Sequence, residues 1–210
     1  AMKNENELGK TEAWYVIDAK PNAKLIVGTK NCTKKEFEKA IEENRTEDYL
    51  NVIDVKKGDA FLINSGMVHA ICEGLIIAEI QQNSDVTYRV YDYGRQRELH
   101  VKKSLDVIDF NLKAENLSNS KNENFEIFDK VKLCKNKYFA MEKINIQNKY
   151  ISSSEKERFH IITCVDGEGS ISGGSISEEI KIGDSILIPA NLGQYEIVGN
   201  ISVLRSYVTI

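Results

Sequence analysis

Of the three histidines in the sequence, His69 has the surroundings best suited to chemistry. It closes the spacing Gly58-x5-Asn64-x-Gly66-x2-His69, in which a tight turn carries the chain into a strand whose inward imidazole could reach a metal at the centre of a β-barrel. Lys10 and Glu12 lie two apart beside a strand-like segment, so period-two alternation puts both side chains on one face. An ammonium and a carboxylate presented together suit a metal ligand with a neighbour for substrate oxygens or phosphate. From residue type alone the plainer readings are a satisfied core histidine, an exposed strand carboxylate and a solvated lysine.

The elements that must position these groups read as sheet. Trp14 to Ile17 and Lys24 to Val27 are short β-type runs, and the turn chemistry of Lys20-Pro21-Asn22 between them predicts a hairpin-like connection. Thr33 and Glu36 have capping-box spacing, with Phe37, Ala40 and Ile41 on one face, which predicts one short surface helix. From Val52 to Gly94, β-branched and aromatic residues dominate between Gly-containing turns and predict sheet strands through Thr87-Tyr88-Arg89-Val90-Tyr91. The Asn-rich, aperiodic stretch 111–125 is the expected linker between a first lobe at 1–110 and a second at 126–210. Strand-like runs resume beyond it. Setting Lys57 to Asn64 over Ile182 to Pro189 matches Gly, Asp, Leu and Ile in register, so one strand-turn-strand unit is read as duplicated.

With 210 residues the chain has room for two β lobes, and 41% hydrophobic with 29% charged residues is an ordinary globular composition. A net charge of −4 with interleaved Lys and Glu gives no electrostatic footprint for nucleic acid. No run of about 20 apolar residues is present and the N-terminus lacks an apolar signal region, so no membrane partner and a cytoplasmic location are expected. Cys32, Cys72, Cys134 and Cys164 are widely spaced and read as free thiols. Ala1 before Met2 reads as a tag remnant, with native sequence starting at Met2.

The spacing ending in His69 is that of the second cupin motif, with Asn64 where Pro is usual. Four blocks then resemble a specific family in its own order: Gly9-Lys10-Thr11-Glu12-Ala13-Trp14-Tyr15; Gly66-Met67-Val68-His69-Ala70-Ile71; Glu79-Ile80-Gln81-Gln82-Asn83-Ser84-Asp85 running on to Asp92; and Arg97-Glu98-Leu99-His100. On these the chain resembles the type I mannose-6-phosphate isomerases in their short bacterial form. The resemblance is dense over the first half and looser over the second. It implies a mainly β fold of two cupin-like jelly-roll lobes, the first incomplete at its N-terminus. It also implies interconversion of mannose 6-phosphate and fructose 6-phosphate through an enediol at one zinc.

In that family the zinc is held by a Gln-x-His segment, by the Glu of Lys-x-Glu and by the His of Gly-x-x-His. The last two fall on Glu12 and His69; no histidine here has Gln two residues before it, so the chain is expected to begin just after that segment and to bind zinc weakly or not at all. Lys10, Arg89 and Asp85 are the implied substrate-binding residues, Lys10 and Arg89 also being the catalytic candidates. Arg89 would stabilise enediolate charge or clamp phosphate, against the alternative of an ion pair with Asp85 or Asp92. In the second lobe Gln194 stands at the matching position, so no metal is expected there. Strand edges left open in the first lobe are expected to be met by a second copy of the chain. The alternative to an isomerase is a non-catalytic cupin that binds sugar phosphate weakly or only self-associates.

Overall fold

The computed structural model describes residues 2–118, 120 and 122–209. The chain divides into two compact units, one ending at Asn116 and the other beginning at Leu117.

The first unit opens with a single helical turn, α1 (Met2–Glu5), and builds two sheets from β1 (Glu12–Ala19), β2 (Lys24–Thr29), β3 (Leu50–Asp54), β4 (Ala60–Ile63), β5 (His69–Ile71), β6 (Leu75–Gln81) and β7 (Glu115–Asn116). One sheet has the order β6-β1-β4-β7, the other β3-β2-β5. Trp14, Leu25, Val27, Phe61, Ile63 and Met67 form one apolar cluster, while Ile26 packs into another with Phe37, Leu50 and Leu105. Leu25 and Val27 thus face one side of β2 and Ile26 the other, as strand alternation requires.

The helix α2 (Lys34–Glu42) has the reciprocal capping box of Thr33 and Glu36, and its buried residues are Phe37 and Ala40. A further helix, α3 (Val101–Val107), buries Ser104 and Leu105. The hairpin expected across Lys20-Pro21-Asn22 does not form: the turn closes locally, with Asn22 at φ 64 and Ala23 N donating to Lys20 O at 3.1 Å, but it passes the chain from one sheet to the other. Thr87 to Tyr91 is not strand either. The chain from Gln82 to His100 is irregular, shaped by turns at Tyr93 (φ 53), Gly94 (φ 75) and Gln96 (φ 62), which take it out of any ladder.

The second unit consists of β8 (Asn122–Asn124), β9 (Phe128–Lys135), β10 (Phe139–Ile146), β11 (Lys149–Ser153), β12 (His160–Gly173), β13 (Ile176–Lys181), β14 (Ser185–Ile188) and β15 (Gln194–Val208). The order is β13-β12-β15-β10-β9-β8, with β11 on β15 and β14 on β12. Its core gathers Ile144, Ile146, Ile162, Cys164, Ile197 and Val203 among others. The stretch 111–125 contributes to pairing at both ends: β7 adds to β4, and β8 to β9.

The duplicated turn is visible in atomic detail. Gly58 and Gly183 both have φ 92, a left-handed conformation that a side chain would strain. Lys56 N donates to Asp59 Oδ2 (2.9 Å) and Lys181 N to Asp184 Oδ2 (3.0 Å). Each turn is also tied to the facing strand, Gly58 N to Val16 O (2.9 Å) and Gly183 N to Cys164 O (3.0 Å). No helix of the described residues is long and apolar enough to cross a membrane.

Candidate functional site

Glu12 begins β1, between Ile63 of β4 and Gln81 of β6. The residue is 1% exposed, a costly place for a carboxylate unless its oxygens are matched. Oε2 accepts the indole N–H of Trp14 at 3.0 Å. Oε1 has Lys10 Nζ at 2.9 Å, yet it accepts no hydrogen bond, because the ammonium approaches outside hydrogen-bonding geometry. Charge compensation is therefore present while the lone pairs of Oε1 stay open. Lys10 Nζ also donates to Gln81 Oε1 at 3.0 Å, so its ammonium bridges the neighbouring strands.

His69 opens β5, opposite Val27 of β2. Its Nδ1 lies 2.8 Å from Met67 O, and since a carbonyl can only accept, Nδ1 carries the proton. In the neutral ring Nε2 is then an open lone pair, and it faces Glu12 Oε2 at 3.8 Å. A backbone carbonyl fixing the far nitrogen is the usual means of orienting a ligating imidazole. The ring also meets Trp14 edge-on, with centroids 5.4 Å apart.

These donors match a zinc-type cation in kind: an open carboxylate oxygen and an oriented, unprotonated imidazole nitrogen. They fall short in number. Among the described residues no group of three or more His, Cys, Asp or Glu forms a cluster that could hold a metal.

Lys10, His69 and Arg89 line one cavity of about 290 Å³, together with Arg95, Arg97 and Ser65 among its polar residues. Arg89 reaches it from the irregular chain after β6. Its Nη1 donates to Glu98 O at 3.2 Å and its Nε lies 3.7 Å from Asp92 Oδ1. Asp92 is shared, for it also accepts Arg97 N (2.8 Å) and the Arg97 guanidinium. Burial opposes the charge on Asp92, but hydrogen bonds and charge from Arg97, with Arg89 beside it, hold the carboxyl below its usual range.

Arg95 differs from the other cavity cations in having no carboxylate partner among the described residues. Its guanidinium lies 5.8 Å from the centre of the Tyr93 ring. That phenol is pushed up to about 12, first by burial and then by Cys72 and Glu47, so the ring stays neutral. Asp85 does not line this cavity. It is exposed in an adjoining groove with Glu5, Glu7, Tyr88, His100 and Lys103.

Two groups at the site were given no role in the sequence reading. Glu79 faces Trp14 across β1 and β6, two residues before Gln81. Its carboxyl is pushed up by burial and then by the charge of Glu12, opposed by Lys10, His69 and the Trp14 indole. Period two along Glu79-Ile80-Gln81 would have placed it on the Glu12 face. Arg95 carried no comparable signal, since its exposure to the cavity depends on the left-handed turn before it.

Residues 129–208 match the family described as mannose-6-phosphate isomerase, cupin domain. The chain is 37% identical over 212 residues to the mannose-6-phosphate isomerase ManA of Bacillus subtilis, covering 98% of this chain and 67% of that protein. It is 31% identical to the mannose-6-phosphate isomerase of Streptococcus mutans, covering 99% and 66%. A crystal structure of the mannose 6-phosphate isomerase from Bacillus subtilis superposes with a TM-score of 0.88 at 32% identity, over 97% of this chain and 67% of that one. A putative mannosephosphate isomerase from Archaeoglobus fulgidus, 19% identical with a TM-score of 0.76, shares the fold. The chain spans about two thirds of the length of these relatives.

Proposed function

From the premise that this chain belongs to the mannose-6-phosphate isomerase family, we propose that the cavity of its first unit serves the interconversion of mannose 6-phosphate and fructose 6-phosphate. The observation that carries the reading is the meeting of buried Glu12 with His69 and Lys10, which line a cavity that also receives Arg89 and Arg95.

The reaction moves a proton between C1 and C2 of the open-chain sugar through an enediol. Arg89 and Arg95 bring positive charge to a phosphorylated substrate, Arg95 with no carboxylate partner among the described residues. Lys10 presents its ammonium beside Glu12, where it can meet a substrate oxygen and stabilise developing negative charge. Glu12 and His69 would hold zinc, through the open carboxylate oxygen and the unprotonated Nε2. Bound there, the metal would polarise a substrate oxygen.

A second reading is favoured by the short donor set and by Lys10, whose ammonium already bridges Glu12 and Gln81. It is a cupin that binds sugar phosphate without turning it over. The two separate in one experiment: zinc content of the purified protein, a coupled assay for fructose 6-phosphate, and a calorimetric titration with mannose 6-phosphate. Zinc with turnover supports the isomerase. Binding without zinc or turnover supports the second reading, and neither binding nor turnover overturns both.

A further inference from the structure

His100 has no part in the reaction described above, yet it is tied to Arg89 at two points. Arg89 N donates to the imidazole Nδ1 at 3.3 Å, and His100 N donates back to Arg89 O at 2.7 Å. The pair forms a closed rung across an irregular segment that has no ladder bonds of its own. A backbone N–H can only donate, so Nδ1 must be unprotonated for the rung to close.

The groups facing the other sides of this imidazole are mostly acidic. Glu98 Oε2 lies 4.0 Å from Nε2, and the Tyr88 ring is 6.3 Å away, centre to centre. The groove that His100 lines holds Glu5, Glu7 and Asp85 against one cation, Lys103. Glu5 is engaged by Lys103 and by the Tyr88 hydroxyl (2.9 Å); Glu7 and Asp85 are exposed to the groove. A proton at Nδ1 would remove the lone pair that the Arg89 amide uses.

We propose that His100 is a positioning residue for Arg89: with Nδ1 unprotonated it fixes the Arg89 backbone so that the guanidinium is held at the cavity, and a proton at Nδ1 breaks that bond. The inference rests on the functional reading in assigning Arg89 a substrate contact. Acidification should then weaken the grip on the phosphorylated sugar before it touches the proton transfer.

The test compares wild type, His100→Asn and His100→Ala. Asparagine places an acceptor oxygen near the position of Nδ1 but does not titrate; alanine offers no acceptor. KM and kcat for mannose 6-phosphate are measured across a pH series, with the substrate's own phosphate ionisation common to all three proteins. His100→Ala should raise KM about 3- to 10-fold at every pH with kcat changed less, the scale of one lost neutral hydrogen bond. His100→Asn should stay near wild type in neutral solution and lack the extra rise in KM that wild type shows on acidification.

The Arg89 amide resonance supplies a readout independent of turnover: in wild type it should shift with the protonation of the His100 ring and in His100→Asn it should not. An amide that ignores the ring, or an alanine variant with wild-type KM throughout, overturns the proposal. If wild type shows no turnover while the amide still follows the ring, the isomerase reading fails and the tie between His100 and Arg89 stands.

Discussion

Glu12 and His160 occupy equivalent places in the two units: Glu12 pairs with Ile63 in the strand that follows the Gly58 turn, and His160 with Ile188 in the strand that follows the Gly183 turn. Their surroundings have diverged. One oxygen of Glu12 accepts no hydrogen bond, whereas His160 Nδ1 is bonded to Tyr195 Oη at 2.9 Å. Burial, and then the charge of Arg205, push the His160 imidazole below its usual range. Where the first unit leaves donors open, the second closes them among its own side chains.

The charge at the centre of that closed network predicts where the second unit is most fragile. Arg205 grips Glu142 through Nε (3.0 Å) and Nη2, and its Nη1 donates to Ser152 at 2.7 Å. Burial works against the guanidinium, but nearby Tyr150 and Glu142 hold its pKa above the ordinary arginine value. Arg205→Leu leaves Glu142, 4% exposed, as an unpaired buried carboxylate, at a cost of about 3–5 kcal/mol. Adding Glu142→Leu should recover most of that loss. Urea unfolding of both single variants and the double would show it, and equal losses in all three would refute the pairing.

The two repeated turns should respond alike to one substitution. Gly58→Ala and Gly183→Ala each force a side chain into the same left-handed backbone, where no neighbouring atom lies closer than 4.0 Å to the added Cβ. Conformational strain is then the main penalty, about 1–2 kcal/mol for each. Comparable losses in thermal unfolding are expected, adding in the double variant because the sites share no partners. Unequal losses would mean that the turns differ energetically despite matching geometry.

Glu79 makes a prediction with a definite sign. Its folded carboxyl is raised above the unfolded value of 4.5, first by burial and then by Glu12, so the folded state favours the protonated form. That preference is fully present below the unfolded value and is lost as pH rises through the folded one. Glu79→Gln should therefore leave stability unchanged in acid and raise it near neutrality. Melting temperatures of the metal-free proteins at the two extremes test this; a gain confined to acid would reverse the assignment.

His69→Ala removes the Nδ1 bond to Met67 and the edge contact with Trp14, and the imidazole is partly exposed. The expected cost is only about 1 kcal/mol. Whatever zinc the wild-type chain takes up should be lost with the ring, measured by competition against a chromophoric chelator. Unchanged zinc uptake would place the metal away from Glu12.

Several features were legible because they are local. The capping box of Thr33 and Glu36, the repeated Gly-Asp turn and the shared face of Lys10 and Glu12 all depend on short-range spacing. The misreadings arose where the same local chemistry has two tertiary outcomes. A turn at Pro21-Asn22 serves a hairpin or a change of sheet equally well, and only the partners of β1 and β2 decide. Thr87 to Tyr91 has the composition of a strand, yet Asp92 gathers the following segment around Arg97 and Arg89. Asp85 and Arg89 line different cavities, which spacing alone could not show.

Trp14 is the sequence's one tryptophan, and its indole N–H is committed to Glu12 while its ring touches His69. Intrinsic tryptophan emission is thus confined to a single location. Any metal or ligand that draws Glu12 or His69 toward itself must disturb the hydrogen bond or the edge contact of that fluorophore. The protein carries its own label-free optical reporter, placed beside the groups whose occupancy matters most.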